Sequence, residues 1–562
     1  MYLLHKAHIH TLDPRQPTAS ALVIDDGRIL AVGDESLVEA FDSQGQRMDL
    51  GGRTIIPGLM DAHIHLSQYA LGLQQVDCET ATRAKCLTRI AERVAHTPPG
   101  EWILGHGWNQ NEWSEGFGCA ADLDAVAPAN PVYLTAKSVH AAWVNTLAMQ
   151  MAGISASTAD PPGGRIQRDE HGNPTGILFE SAMQLVDEII PLCTPHQIAQ
   201  AIRKAQTQLW QFGVTAVHDF DSIACFSALQ SLRANGELGI RVLKGIPLEA
   251  MPHAIQLGLR SGFGDDFLRI GAVKMFADGA LGPRTAAMFQ PYLGEPENLG
   301  MLLMNAEEIF EHGRQAVAHG LSLAIHAIGD RAVHEGLKAF ERLRAFEASP
   351  AIQSSVGGQA LSSSANRGWR GFRHRIEHVQ LIQPEDCPRM AELDLIASVQ
   401  PIHATSDYAM ADRYWGERSQ NAYAWRLLLN HGIHLAFGSD APVESPNPFW
   451  GLHAAVTRRR RDGSPGAQGW YPQHRLNVRE ALQGFTMGAA YAAGMEDHLG
   501  MLAPGYLADL LVLSEDPWVC PMEQLAELHP LATMVGGNWV YVDPEFALIE
   551  PFSAFSHLHD ES

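Results

Sequence analysis

His63 and His65 close the run Gly58-Leu59-Met60-Asp61-Ala62-His63-Ile64-His65. Side chains alternate along a strand, so both imidazoles face one way and can converge on one metal ion. The runs Leu323-Ala324-Ile325-His326 and Arg375-Ile376-Glu377-His378 each end in a further histidine, and Leu435-Ala436-Phe437-Gly438-Ser439-Asp440 ends in an aspartate. Taken singly, each has an ordinary structural reading: a strand histidine is satisfied within a core, and an aspartate after small residues caps a helix or closes an Asx turn. Together they form a set of imidazole and carboxylate donors that suits zinc, and manganese, iron or cobalt also fit. Asp440 would touch the metal and take a proton from water. His8 and His10 repeat the His-x-His spacing in the N-terminal β-region without partners, and are read as structural.

Lys274 sits in the middle of the apolar run Ile270-Gly271-Ala272-Val273-Lys274-Met275-Phe276. A buried ammonium is costly without a partner. Two readings stay open on the residues alone. Lys274 either snorkels to the strand end or pairs with a carboxylate such as Asp278, or it is a neutral amine that has taken up carbon dioxide to form a carbamate able to bridge two cations.

These residues need elements to position them. Eight strand candidates, at 55–66, 214–220, 240–246, 270–277, 321–328, 375–381, 396–401 and 435–439, alternate with helical stretches. One helix opens with the capping-box pattern Asn305-Ala306-Glu307-Glu308. Eight βα units predict an α/β fold, a (β/α)8 TIM barrel spanning 58–497, whose active site lies at the C-terminal strand ends. Both chain ends read as β-structure. Asp25-Asp26-Gly27-Arg28 between apolar runs is a hairpin signal, and the ends predict one small β-sandwich built from 1–57 and 498–546. The long gap at 67–212 predicts a subdomain inserted after barrel strand 1, rich in Trp. The Ser/Gly/Ala-rich stretch 349–368 reads as a surface loop, and Arg458 to Arg461 as a solvated helix face.

Composition bounds the function. The 562 residues carry 40 Lys plus Arg against 63 Asp plus Glu, a formal charge of −23, which argues against nucleic-acid backbones and anionic membranes as partners. The N-terminal run lacks a signal-peptide pattern, and no stretch reaches the roughly 18 apolar residues of a membrane span. Seven scattered cysteines without a C-x-x-C pair argue for a reducing, cytoplasmic setting.

The constellation His63-x-His65, Lys274, His326, His378 and Asp440, in this strand order, resembles the amidohydrolase superfamily. The flanking runs Val273–Gly279, His326–Ala332, Arg375–Gln380, Ser398–Pro401 and Gly438–Val443 are similar to the branch that includes N-substituted formamide deformylase and the YtcJ-like proteins. The resemblance implies a TIM barrel with a β-sandwich from both termini and two divalent metal ions, zinc first among them. It implies that His63, His65 and Asp440 hold one ion, that His326 and His378 hold the other, and that an N6-carboxylated Lys274 bridges them. The implied activity is hydrolysis of a non-peptide C–N bond, in an amide or N-substituted formamide, by a metal-bridged hydroxide. The catalytic residues are then Asp440, His378 and His326. His140, Trp108, Asp278 and Arg284 are the substrate-contact candidates. The expected partner is a small-molecule substrate, and a homodimer is compatible. The same fold also serves cyclic amidases, deaminases and esterases, and a scaffold that has lost its metals is the alternative of another class.

Overall fold

The computed structural model describes residues 1–41, 45–110, 113–136, 141–162, 164–352 and 371–546. Eight parallel strands form its central sheet: β1 (Leu59–Ile64), β2 (Val214–Asp219), β3 (Arg241–Pro247), β4 (Leu268–Phe276), β5 (Leu323–Ala327), β6 (Arg375–His378), β7 (Ile396–Val399) and β8 (Leu435–Phe437), each hydrogen-bonded to the next. The end of β8 returns to β1. The Asp440 N–H donates to the His63 carbonyl at 2.7 Å, and Ser439 donates its N–H and hydroxyl to the Asp61 carboxyl at 3.0 and 2.5 Å. The barrel is therefore the expected (β/α)8 arrangement, with helices such as Ala306–Ala318 and Asp330–Glu347 between strands. Asn305 caps the first of these by accepting from the Glu307 and Glu308 amides.

The run at 55–66, one strand in the sequence, divides in two. Thr54–Pro57 belongs to a terminal sheet and Leu59–Ile64 to the barrel. The switch falls at Gly58, where a Cβ would come within 2.5 Å of the Thr215 hydroxyl, so only glycine lets the chain pass.

Strands from both chain ends make two further sheets. One orders Arg28–Gly33, Ala21–Asp25, Tyr2–His5 and Gln46–Asp49; the other includes Leu510–Leu513 paired antiparallel with Thr54–Pro57. They bury a shared apolar cluster that includes Leu4, Leu22, Ile24, Leu510, Met534 and Trp539. The hairpin at Asp26-Gly27 has positive φ at both residues, 46° and 72°, as a tight primed turn requires. His10 Nε2 donates to the Asp516 carboxylate at 2.9 Å and the ring stacks on Trp518, which accounts for it structurally.

The inserted segment forms a compact unit, Ala70–Ala201, around its own six-stranded sheet. Trp108, Trp113 and Trp143 pack together in its core, with ring centroids 6.0–6.5 Å apart. The 349–368 loop lies, from residue 353 on, outside the described residues. Arg458 departs from the expected solvated face. It is 1% exposed, donates to the carbonyls of Trp470 and Tyr423 at 2.8 Å, and lies against the Trp425 and Trp470 rings.

One buried pair ties β3 to the terminal sheet. Arg241 donates to both oxygens of Asp509 at 2.7 and 2.8 Å, each side chain no more than 3% exposed. Asp509→Ala leaves that guanidinium buried and unpaired, so urea unfolding should show a loss of about 3–5 kcal/mol. A loss under about 1 kcal/mol would contradict the pairing's structural role.

Candidate metal centre

His63 is fully buried, and its environment fixes which nitrogen carries the proton. Nδ1 lies 2.6 Å from the Glu377 carboxylate, which can only accept, so Nδ1–H donates. Burial, with the Lys274 charge adding to it, pulls the imidazole down to about 4, so the ring is neutral. Nε2 is thus a bare lone pair. It is buried without a hydrogen-bond partner and faces Asp440 Oδ1 at 3.6 Å. A lone pair set against a carboxylate repels unless a cation lies between them.

His65 repeats the arrangement. Its Nδ1 is 3.1 Å from Asp221 and its Nε2 3.5 Å from the same Asp440 oxygen. Asp221 is itself held by the Ser67 hydroxyl and amide at 2.7 and 2.6 Å. One donor atom from each of His63, His65 and Asp440 lies within 4.8 Å of the other two, close enough for one ion. Burial disfavours charge on His65, but Asp221 and Asp440 outweigh it and lift the imidazole to about 9. Against its own burial, Asp440 is held well below the usual carboxylate range by His403 and His65. Asp221 and Asp440 thus favour positive charge at His65.

His378 donates Nδ1–H to the Gln400 side-chain oxygen at 2.8 Å, which leaves its Nε2 lone pair bare. Glu377 and His378 are successive, so regular strand geometry would send them to opposite faces. The left-handed φ of His378, 74°, breaks that alternation and brings both to the site. Asp440 shares this backbone region at φ 62°, strain of the kind stored at functional sites. The His326 ring lies 4.6 Å from that of His378, with its Nε2 donating to the Gly279 carbonyl at 2.9 Å. Lys274 is 4% exposed, its Nζ over the Phe276 and Phe220 rings at 4.5 and 5.2 Å, and burial pulls its amine down to about 8.

Several groups around the cluster were not among the sequence candidates. Glu377, Asp61 and Asp221 orient the strand-end residues, and His403 approaches Asp440. Glu377 and Asp61 each stand two residues along a strand from an inward-facing partner, a signal the sequence carries. Three substrate-contact candidates are held by structural contacts of their own, and one of them, Asp278, also lies 3.6 Å from the His326 Nε2. Asp278 is buried, and its oxygens accept from the amides of Ala287, Ile328 and Gly329 at 2.8–3.0 Å, so it fastens the loops after β4 and β5. Arg284 pairs with Glu295 in the loop after β4. Trp108 is 1% exposed with its indole N–H on the Leu134 carbonyl, so it packs a core. His140 lies outside the described residues.

A parallel barrel gathering imidazoles and a carboxylate at its C-terminal rim is the architecture of a metal-binding hydrolase. The chain belongs to the amidohydrolase family, whose description it matches over residues 46–541. It is 32% identical over 549 residues to the protein YtcJ of Bacillus subtilis (strain 168), covering 96% of this chain and 98% of that one. It is 29% identical over 556 residues to the N-substituted formamide deformylase of Arthrobacter pascens, covering 95% and 97%. The crystal structure of an uncharacterized metal-dependent hydrolase from Pyrococcus furiosus matches with a TM-score of 0.75 at 29% identity, over 92% of this chain and 99% of that one.

Seating a divalent cation among His63, His65 and Asp440 must expel the His65 proton. Below a pH of about 9, where His65 carries that proton, affinity should therefore rise with pH. Calorimetric titrations of chelated protein at pH 7 in buffers of different ionisation enthalpy should report about one proton or more released per ion. A value near zero would contradict this charge arrangement.

Proposed function

We propose that this chain is a metal-dependent hydrolase that cleaves a non-peptide C–N bond, in an amide or N-substituted formamide, at the cluster His63, His65, Lys274, His326, His378 and Asp440. The observation that carries the reading is the buried, unpartnered His63 Nε2 facing the Asp440 carboxylate. The near full-length similarity to an N-substituted formamide deformylase supports the choice of bond. His63, His65 and Asp440 hold one divalent cation, and His378 with His326 supplies imidazoles for a second. When bound, such ions lower the pKa of water toward neutrality and polarise a substrate carbonyl. Zinc suits the donor set best.

The chain's own groups supply the proton traffic. Asp440, ionised at neutral pH, accepts a proton from the attacking water as the carbon–oxygen bond forms. It then delivers that proton to the nitrogen as the carbon–nitrogen bond breaks, releasing an acid and an amine. Glu377, Asp221 and Gln400 keep the imidazoles turned to the site throughout. Lys274 has a different task. Its lowered pKa makes the neutral amine accessible, and that amine adds carbon dioxide: an N–C bond forms, one proton leaves, and an anionic carbamate takes the place of a buried ammonium.

The direct test is release of equal amounts of carboxylic acid and amine from a panel of N-formyl and N-acyl amines, the acid being formate for the N-formyl members. A metal-loaded protein inert across that panel would overturn the bond assignment. Asp440→Asn should lower kcat by about 10²–10⁴-fold with the far-ultraviolet spectrum unchanged; near-normal turnover would remove Asp440 as the proton carrier. Lys274→Ala should lose metal and activity together, with short carboxylic acids restoring part of both. Full metal occupancy in that variant would sink the carbamate.

A further inference from the structure

Phe276, the last residue of β4, is 46% exposed. The chain on either side of it is not: residues 270–275, Ala277 and Asp278 are all buried. The exposure is therefore that of one ring and not of a frayed strand end. Side chains alternate along a strand, so Phe276 takes the face of Lys274, two residues back, opposite Met275, which is enclosed in the main apolar core. Two contacts fix that direction. The Lys274 Nζ lies 4.5 Å from the centroid of the Phe276 ring, and the ring of His326, its register partner on β5, lies 5.2 Å from it. An open aromatic face thus stands at the C-terminal mouth of the barrel, against two groups of the centre.

A single exposed phenylalanine on an outer surface is ordinary. Phe276 instead lies on the inner face of the barrel strands, beside His326 and one ring away from His378. Packing over Lys274 occupies part of the ring and leaves the rest to whatever enters the mouth. An apolar group seated there leaves water together with the ring, and that burial is favourable roughly in proportion to the apolar area covered. A charged or strongly hydrated group gains less, because it must shed water against a surface that offers it no hydrogen bond. A formamide has no carbon on its acyl side, so in that class the apolar group must be borne by the nitrogen.

We propose that Phe276 is a specificity-determining residue whose open face receives an apolar substituent on the nitrogen of the scissile amide, so that amides of aryl-bearing and larger alkyl amines are the preferred substrates. This rests on the reading of the site as a C–N hydrolase and names its substrate class. Phe276 takes no part in the bond changes; it acts on which amide is held against the centre.

The test is kcat/KM of the metal-loaded protein on the N-formyl and N-acetyl derivatives of methylamine, butylamine, benzylamine and, singly acylated, ethylenediamine. Wild type should prefer the benzyl over the methyl member by about 10²-fold, with butyl between them and the aminoethyl member lowest. Phe276→Ala should reduce the benzyl-to-methyl ratio by about 10-fold, and Phe276→Leu should keep most of it. Because the ratio is taken within one variant, a change in the fraction of metal-loaded enzyme cancels; should Phe276→Ala be inactive, Phe276→Val takes its place. A flat ratio in wild type, a preference for the aminoethyl member, or a ratio unchanged by losing the ring would overturn the role of Phe276 and leave the hydrolase reading standing. No turnover of any member by metal-loaded wild type would overturn the hydrolase reading, and this assignment with it.

Discussion

The centre depends on one buried charge. Glu377 is fully enclosed at the barrel axis, and an enclosed carboxylate survives only with a partner and saturated hydrogen bonds. Arg375 provides both. It donates to the two Glu377 oxygens at 2.5 and 3.0 Å, to the Ala62 carbonyl and the Ser398 hydroxyl at 2.5 Å, and to His218 at 2.8 Å. One guanidinium thus links β1, β2, β6 and β7. The anion it sustains holds the proton on His63 Nδ1 and leaves Nε2 as the bare lone pair on which the metal reading rests. Neutralise Glu377 and the tautomer is no longer dictated.

Backbone geometry then brings donors from different strands to one point. His378 and Asp440 both lie past regular strand geometry in the left-handed region, which turns their side chains inward at the rim. Gly438 allows β8 to come close to β1; a Cβ there would stand 2.5 Å from the His63 amide nitrogen. Asp61 completes the seam by accepting from His63 and Ser439. The histidines, their orienting carboxylates and the closure of the barrel are one network.

Much of this was legible in the sequence. The eight strands follow from apolar runs and from the residues that close them, whereas the grouping of the six residues, Lys274 among them, and the joining of the two chain ends drew on the family resemblance. The groups behind them were harder to read. Glu377 and Asp61 look like ordinary strand residues until the fold brings His63 and Ser439 from other strands beside them. His403 lies on a helix, where strand alternation says nothing about direction. Asp278 and Trp108 drew attention by position and chemistry; backbone amides and the His326 ring meet the first, and neighbouring indoles surround the second. Gly58 shows the same limit, since the run 55–66, read as one strand, changes sheet at Pro57-Gly58.

Elemental mass spectrometry of protein purified without chelators tests the central claim most directly. The arrangement of His63, His65 and Asp440 predicts transition metal at about one to two ions per chain, falling by about one in His63→Ala. Protein free of metal, and still free of it after incubation with zinc or manganese and bicarbonate, would contradict the account.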